Sequence, residues 1–244
     1  MTANKGRLLG VGLGPGDPEL LTLKAARLLK AAPVIAYFAK AGRRGHARTI
    51  ADPYIPAGAP ELPLLYPVTT EVHFEDADYI DQLSDFYEKS ADLLATHLEA
   101  GRDVALLCEG DPLFYGSFMH LYMRLRERFA VTIVPGITGM SGCWTAAGAP
   151  MTWGDDILSV LPGTLGAAAL IDRLKNTDAA VIMKLGKNYP KVRAALAEAG
   201  LLDRAIYVER GAMANEKVMA LREKTDNVAP YFSIILVPGN GRRP

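Results

Sequence analysis

The chain is poor in cysteine and histidine and carries no excess of either charge. Its 244 residues include 2 cysteines and 4 histidines, and 27 Lys and Arg balance 27 Asp and Glu. Cys108 and Cys143 lack C-x-x-C spacing, which argues against a disulfide framework and a structural zinc site. His46, His73, His97 and His120 form no metal-ligand pattern, and no G-x-S-x-G nucleophile motif occurs. A formal net charge of zero gives no support to nucleic acid as the main partner. No apolar run nears the roughly 18 residues of a membrane span. The opening MTANKGRLLGVG lacks the apolar core and cleavage site of a secretory signal. These absences lead us to expect a cytoplasmic protein with no metal, no membrane association and no nucleic-acid partner.

What is present is an ordinary globular balance, 50% apolar and 22% charged, and a strand–helix alternation. RLLGVG (7–12) reads as a buried strand, PELLTLKAARLLKAA (18–32) as a helix opened by Pro18, and PVIAYF (33–38) as a second strand. That order is a βαβ unit and implies a parallel sheet. Pro53, Pro56, Pro60, Pro63 and Pro67 mark 53–67 as a loop or extended crossing. Residues 75–100 form a long helix with an apolar stripe through Ile80, Leu83, Tyr87, Leu94 and Leu98. Its acids, Glu75, Asp76, Asp78, Asp81, Asp85, Glu88 and Asp92, read as a solvated face.

Strands follow at 103–108 and 131–136, with a helix at 118–129 between them. Further strands are expected at 156–161, 179–185, 205–209, 216–221 and 231–237, with helices at 166–175 and 189–199. About nine residues separate the last two strands, too few for a helical crossover. The expected fold is therefore α/β, with two α/β domains. The first, 1–136, is mainly parallel, and the second, 137–244, has a mixed sheet.

The glycine turn in LLGVGLGPGDPELL raises the question of its ligand. A dinucleotide fingerprint needs G-x-G-x-x-G. From Gly10 the third position is Pro15, and from Gly12 it is Asp17. The second strand also ends without the acid that would hold a ribose hydroxyl. The turn instead suits close backbone approach to an uncharged or cationic group. Similar glycine-bearing loops end the strands in LLCEGDPLFYGS (106–117), IVPGITGMSG (133–142) and VIMKLGKN (181–188). Ligands of open parallel sheets sit at the carboxyl ends of strands, so these loops suggest one cleft built from main chain. Asp111 there could accept from a hydroxyl or ammonium, or simply cap a helix.

GVGLGPGDPELLTLKA, CEGDPLFYGS and VPGITG, in this order and spacing, resemble the tetrapyrrole (corrin/porphyrin) methyltransferases that use S-adenosylmethionine. The resemblance spans nearly the whole chain. It implies two α/β domains with a cleft between them, S-adenosyl-L-methionine as methyl donor, a tetrapyrrole substrate and a homodimer. Carried over position by position, the implied cofactor contacts are Pro15, Glu109, Gly110, Asp111, Phe114, Thr138, Gly139, Lys184 or Leu185, Gly211 and Ala212. Two positions depart from the family: Glu109 stands where many relatives have Gly, and MKLG replaces a common Tyr-Met-Gly.

The resemblance implies a flat substrate rich in carboxylates. AKAGRRGHAR (39–48) offers Lys40, Arg43, Arg44 and Arg48 as partners for them, since arginine grips carboxylates bidentately. A sulfonium methyl is already activated, so alignment and water exclusion suffice, and orientation can supply about 7–11 kcal/mol of a barrier. A proton must afterwards leave a methylated meso carbon, and Glu109 and Tyr115 are candidates to take it. Three alternatives stay open: another member of the family, a nicotinamide-dependent oxidoreductase, and a non-catalytic tetrapyrrole carrier. Titration with S-adenosylhomocysteine and NADH separates the enzyme classes.

Overall fold

The computed structural model describes residues 4–67 and 77–241, the side chains of 77–79 excepted. His73, Glu75 and Asp76, and the side chain of Asp78, lie outside the described set. The chain divides into two compact units, one ending at Thr138 and one beginning at Gly139.

The first unit runs β1 (Leu8–Gly12), α1 (Leu23–Ala31), β2 (Val34–Lys40), α2 (His46–Ala51), β3 (Glu61–Tyr66), α3 (Ala77–Glu99), β4 (Val104–Cys108), α4 (Phe118–Leu125) and β5 (Val131–Val134). Its five strands lie in the order β3-β2-β4-β1-β5, all parallel. Successive strand residues point to opposite faces, so the continuous apolar runs feed two cores. Leu8, Val34, Ala36, Val104 and Leu106 pack with α3 and α4 through Phe86, Leu94, Leu98, Phe118 and Leu121. Leu9, Val11, Ile35, Ala105 and Leu107 pack with α1 and α2 through Ala25, Leu29, Ala47 and Ile50. Sheets covered on both faces read as unbroken hydrophobic strands for this reason. On α3, Asp81, Asp85, Glu88 and Asp92 are exposed, as a solvated face requires.

The second unit runs α5 (Gly139–Ala146), β6 (Leu158–Pro162), α6 (Ala167–Lys175), β7 (Ala179–Met183), α7 (Tyr189–Glu198), β8 (Ile206–Glu209), β9 (Lys217–Ala220) and β10 (Ser233–Val237). Its sheet order is β6-β7-β10-β8-β9. Only β6 and β7 pair in parallel; β10 pairs antiparallel with β7 and β8, and β8 with β9. The short 221–232 connection therefore joins strands that are not neighbours. One face packs on α6 and α7 through Leu170, Leu174, Tyr189 and Leu196, and the other on α5 through Cys143.

The structure corrects three local expectations. Pro18 opens a short 3₁₀ turn, Pro18–Leu20, capped by Asp17, whose Oδ1 accepts from the Glu19 N–H at 2.8 Å. Helix α1 starts later, at Leu23, with Thr22 as its cap. The proline-rich 53–67 segment contains β3, with Pro63 opposite Tyr37. This strand is a sheet edge, where half the N–H groups have no ladder partner and proline is tolerated.

Finally, the basic segment, offered whole to substrate carboxylates, runs into α2, which begins at His46. Arg48 lies on it, only 7% exposed. Its guanidinium forks onto Glu61, with Nε to Oε2 at 2.8 Å and Nη2 to Oε1 at 2.6 Å, while Nη1 donates to Asp52 Oδ1 at 2.6 Å. Arg44 pairs with the same Asp52. The pair ties α2 to the edge strand. The Arg48 hydrogen bonds hold the Glu61 carboxyl below its ordinary range, against desolvation.

Replacing Arg48 by Leu leaves Glu61 without its guanidinium and Asp52 with Arg44 alone, and should cost about 1–3 kcal/mol, discounted for the partial exposure of the two carboxylates. The urea midpoint reads this. Because the folded pKa of Glu61 is depressed, its contribution is complete above the ordinary carboxylate value of about 4.3 and fades as pH falls through the folded one. The variant should therefore lose less stability on acidification than the wild type.

Candidate functional site

The carboxyl ends of β4, β1 and β5 are adjacent in the first sheet, and their glycine loops converge. The Gly110 N–H donates to the Gly14 carbonyl at 2.8 Å, and the Leu13 N–H to the Cys108 carbonyl at 2.9 Å. A Cβ on Gly136 would stand 2.1 Å from the Gly110 carbonyl oxygen, and one on Gly12 would stand 2.5 Å from the Gly136 nitrogen. Neither position can carry a side chain. The reading of this turn as glycine kept free for a ligand is corrected in part: at Gly12 and Gly136 the close approach is between protein backbones. Gly14 has a different reason, a φ of 80°. Pro15 follows it and is buried.

Asp111 locks the junction. Its Oδ2 accepts from the Gly136 N–H at 3.1 Å and its Oδ1 from the Leu113 N–H at 2.9 Å. Oδ2 thus joins the β4 loop to the β5 loop, while Oδ1 closes a local turn within the β4 loop, a role neither the hydroxyl partner nor the helix cap anticipated. Desolvation pushes the Glu109 carboxyl up to about 7, although the Ala47 N–H of α2 donates to it and favours the ionised form. The residue itself is exposed, so this carboxyl is crowded by protein yet open to water. Phe114 and Tyr115 meet edge to face, with centroids 4.9 Å apart. Tyr115 holds a φ of 53°, in the left-handed region, and is 47% exposed.

In the second unit the carried-over positions also sit on unusual backbone. Lys184, after β7, has φ 57°, and Arg210 and Ala212, around Gly211, have φ 52° and 61°. Such conformations cost about 1–3 kcal/mol each in side-chain-bearing residues and concentrate at ligand sites. Leu185 is fully buried in the core, which limits it to main-chain contacts. A Cβ on Gly211 would lie 2.8 Å from the Cys143 sulfur. Burial pushes the Cys143 thiol up to about 11, although the Gly211 N–H donates to it. Burial raises the Cys108 thiol as well, and both cysteines are free. Gly139, at the start of α5, has open space where a Cβ would stand. Thr138 immediately precedes it and ends the first unit.

Of the basic residues, Lys40 and Arg43 are exposed and make no ion pair with described residues. Arg44 is exposed but shares Asp52. The guanidinium of Arg48 is occupied within the fold, so its assignment to a substrate carboxylate is withdrawn. Among the described residues, no group of three or more His, Cys, Asp or Glu is placed to hold a metal ion, and no helix is long and apolar enough to cross a membrane. The sequence reading missed the anchoring of Glu109 by Ala47, the left-handed Arg210 and the hydroxyl contacts of Ser117. Each depends on residues far apart in the chain or on backbone angles.

A family model described as Tetrapyrrole (Corrin/Porphyrin) Methylases matches residues 7–225. A Precorrin-2 C(20)-methyltransferase from Sinorhizobium sp is 59% identical over 98% of each chain. The Cobalamin biosynthesis protein CobIJ of Mycobacterium tuberculosis is 50% identical over 98% of this chain and 47% of its own. Among solved structures, Uroporphyrin-III C-methyl transferase from Thermus thermophilus, complexed with S-adenyl homocysteine, superposes with a TM-score of 0.65 at 27% identity. That match covers 95% of this chain and 97% of the other.

Gly12→Ala should break the loop junction and cost at least the 1–3 kcal/mol or so of an overpacked interior, read as a lowered Tm. Lys184→Gly should leave the Tm unchanged or raise it, because relief of about 1–2 kcal/mol of left-handed strain exceeds glycine's entropic penalty of about 0.5–1 kcal/mol.

Proposed function

The chain belongs to the tetrapyrrole (corrin/porphyrin) methylases, and from that premise we propose that it methylates carbon 20 of precorrin-2 in cobalamin (corrin) synthesis, with S-adenosyl-L-methionine as donor. The observation that carries the reading is the near-complete co-extension with the Sinorhizobium relative at high identity. The forms EGDPLFYGSF (109–118) and PYFSIILVPG (230–239) support the same branch of the family. The reading includes a homodimer in the cytoplasm.

The residues present fit a cofactor held largely by main chain. Open space beside Gly139 leaves its main chain approachable, and left-handed residues such as Lys184 and Ala212 are of the kind that clusters at ligand clamps; both support this reading. S-adenosylmethionine, when bound, supplies a methyl group already activated by its sulfonium. We assign its binding to the loop positions Pro15, Gly110, Asp111 and Phe114, to Thr138 and Gly139, and to Lys184, Gly211 and Ala212. Glu109 and Leu185 contribute main chain. Asp111 acts by keeping the β4 and β5 loops together. Lys40 and Arg43, with Arg44 beside them, meet substrate carboxylates. Glu109 takes the proton that leaves the methylated meso carbon; its near-neutral carboxyl is suited to that exchange. Tyr115 is the second candidate for this proton.

Purified enzyme, methyl-labelled cofactor and precorrin-2 should yield a product whose label NMR locates at carbon 20. A label elsewhere, or turnover of the cobalt-bearing substrate alone, overturns the assignment, as does tight NADH binding without affinity for S-adenosylhomocysteine. A base must be ionised to act, so kcat/KM should rise with pH through about 7. Glu109→Gln should lose that limb and fall about 10²–10⁴-fold, with S-adenosylhomocysteine affinity retained.

A further inference from the structure

The loop between β4 and α4 is pinned at both ends. At its entry Asp111 binds the Gly136 and Leu113 N–H groups. At its exit Ser117 Oγ accepts from the Tyr87 hydroxyl at 3.1 Å and shares a 2.5 Å hydrogen bond with the Tyr66 hydroxyl. Tyr66 ends β3 and Tyr87 belongs to α3. One serine oxygen therefore joins an edge strand, a long helix and the loop.

This use of Ser117 is unusual for its position. It is the N-cap residue of α4, yet its side chain makes no capping hydrogen bond. A serine cap is ordinarily worth about 1 kcal/mol, which this residue forgoes in favour of the two tyrosines. Both tyrosines are themselves fixed by ring packing. Tyr66 stacks on Phe38 at 5.5 Å and Tyr87 on His120 at 4.3 Å, while Phe86 contacts both tyrosines. Their hydroxyls are thus held on a rigid aromatic base. Between the two pins stand the rings of Phe114 and Tyr115, with Tyr115 in a left-handed conformation. Such a conformation persists only when its surroundings over-determine it.

We propose that Ser117, gripped by the Tyr66 and Tyr87 hydroxyls, is a positioning residue that holds the Phe114–Tyr115 tip of this loop in the geometry the cofactor requires. The cofactor role of the tip rests on the functional reading above; the pinning does not. Loss of the serine hydroxyl frees the loop exit without removing any group assigned to ligand contact.

Ser117→Ala should weaken S-adenosylhomocysteine binding in calorimetry about tenfold, or about 1.4 kcal/mol, and raise hydrogen exchange at the amides of 113–117. Ser117→Thr, which keeps the hydroxyl, should restore both. Tyr66→Phe and Tyr87→Phe should each give part of the effect, and the double variant should match Ser117→Ala; these tyrosine variants carry the test if the alanine variant does not fold. Leu98→Val, a core change on α3, is the stability control and should leave binding unchanged. Wild-type affinity and exchange in Ser117→Ala, or equal weakening in the Leu98 control, overturns the proposal. A wild type that does not bind S-adenosylhomocysteine overturns the cofactor reading instead, and the exchange measurement then judges the pinning by itself.

Discussion

The architecture of the first unit depends on three main chains meeting where no side chain fits. Gly12, Gly110 and Gly136 bring the ends of β1, β4 and β5 to within touching distance of one another. Steric exclusion sets this arrangement, and Asp111 closes it by accepting N–H groups from two loops. The parallel sheet supplies the alignment, since only strands running the same way deliver their loops to a common edge. Everything assigned to ligand binding in this unit stands on that junction.

Around it the loops divide into packed and strained parts. Gly12 and Gly136 are glycine for want of space, whereas Gly14 adopts a positive φ. Tyr115, Lys184, Arg210 and Ala212 hold positive φ despite carrying side chains. All four fall at or beside positions that the family resemblance marks as cofactor contacts. Strain at such places is consistent with backbone shaped for a ligand at some cost to stability. In the second unit Gly211 lies against the Cys143 sulfur, so α5 and the β8–β9 turn are fitted to each other as closely as the loops of the first unit.

Charge is organised with similar economy. The cluster at 40–48 divides according to depth. Arg48 faces inward, pairs with Glu61 and shares Asp52 with Arg44, whereas Lys40 and Arg43 remain in solvent. The buried guanidinium fixes α2, and α2 in turn presents the Ala47 N–H to Glu109. A structural ion pair thereby helps set the surroundings of the proposed proton acceptor.

Local pattern alone determined much of this protein. The short last connection suggested the mixed second sheet, yet that sheet is mixed because β10 pairs antiparallel with β7 and β8, not because the last two strands pair with each other. Unbroken apolar runs announced the covered strands, the strand–helix–strand order announced the parallel first sheet, and the order of three glycine motifs announced the family. Those features are legible because each arises from residues adjacent in the chain. Pro63 misled because a proline looks the same in a loop and on an edge strand, and only pairing distinguishes them. Arg48 misled because a basic residue reads as solvent-facing until its helix turns it toward Glu61, thirteen positions away. The joint role of Asp111, the meeting of Tyr66, Tyr87 and Ser117, and the left-handed residues were settled by tertiary structure alone. Hydrogen bonds between distant segments, and backbone angles imposed by packing, have no periodicity from which a sequence could disclose them.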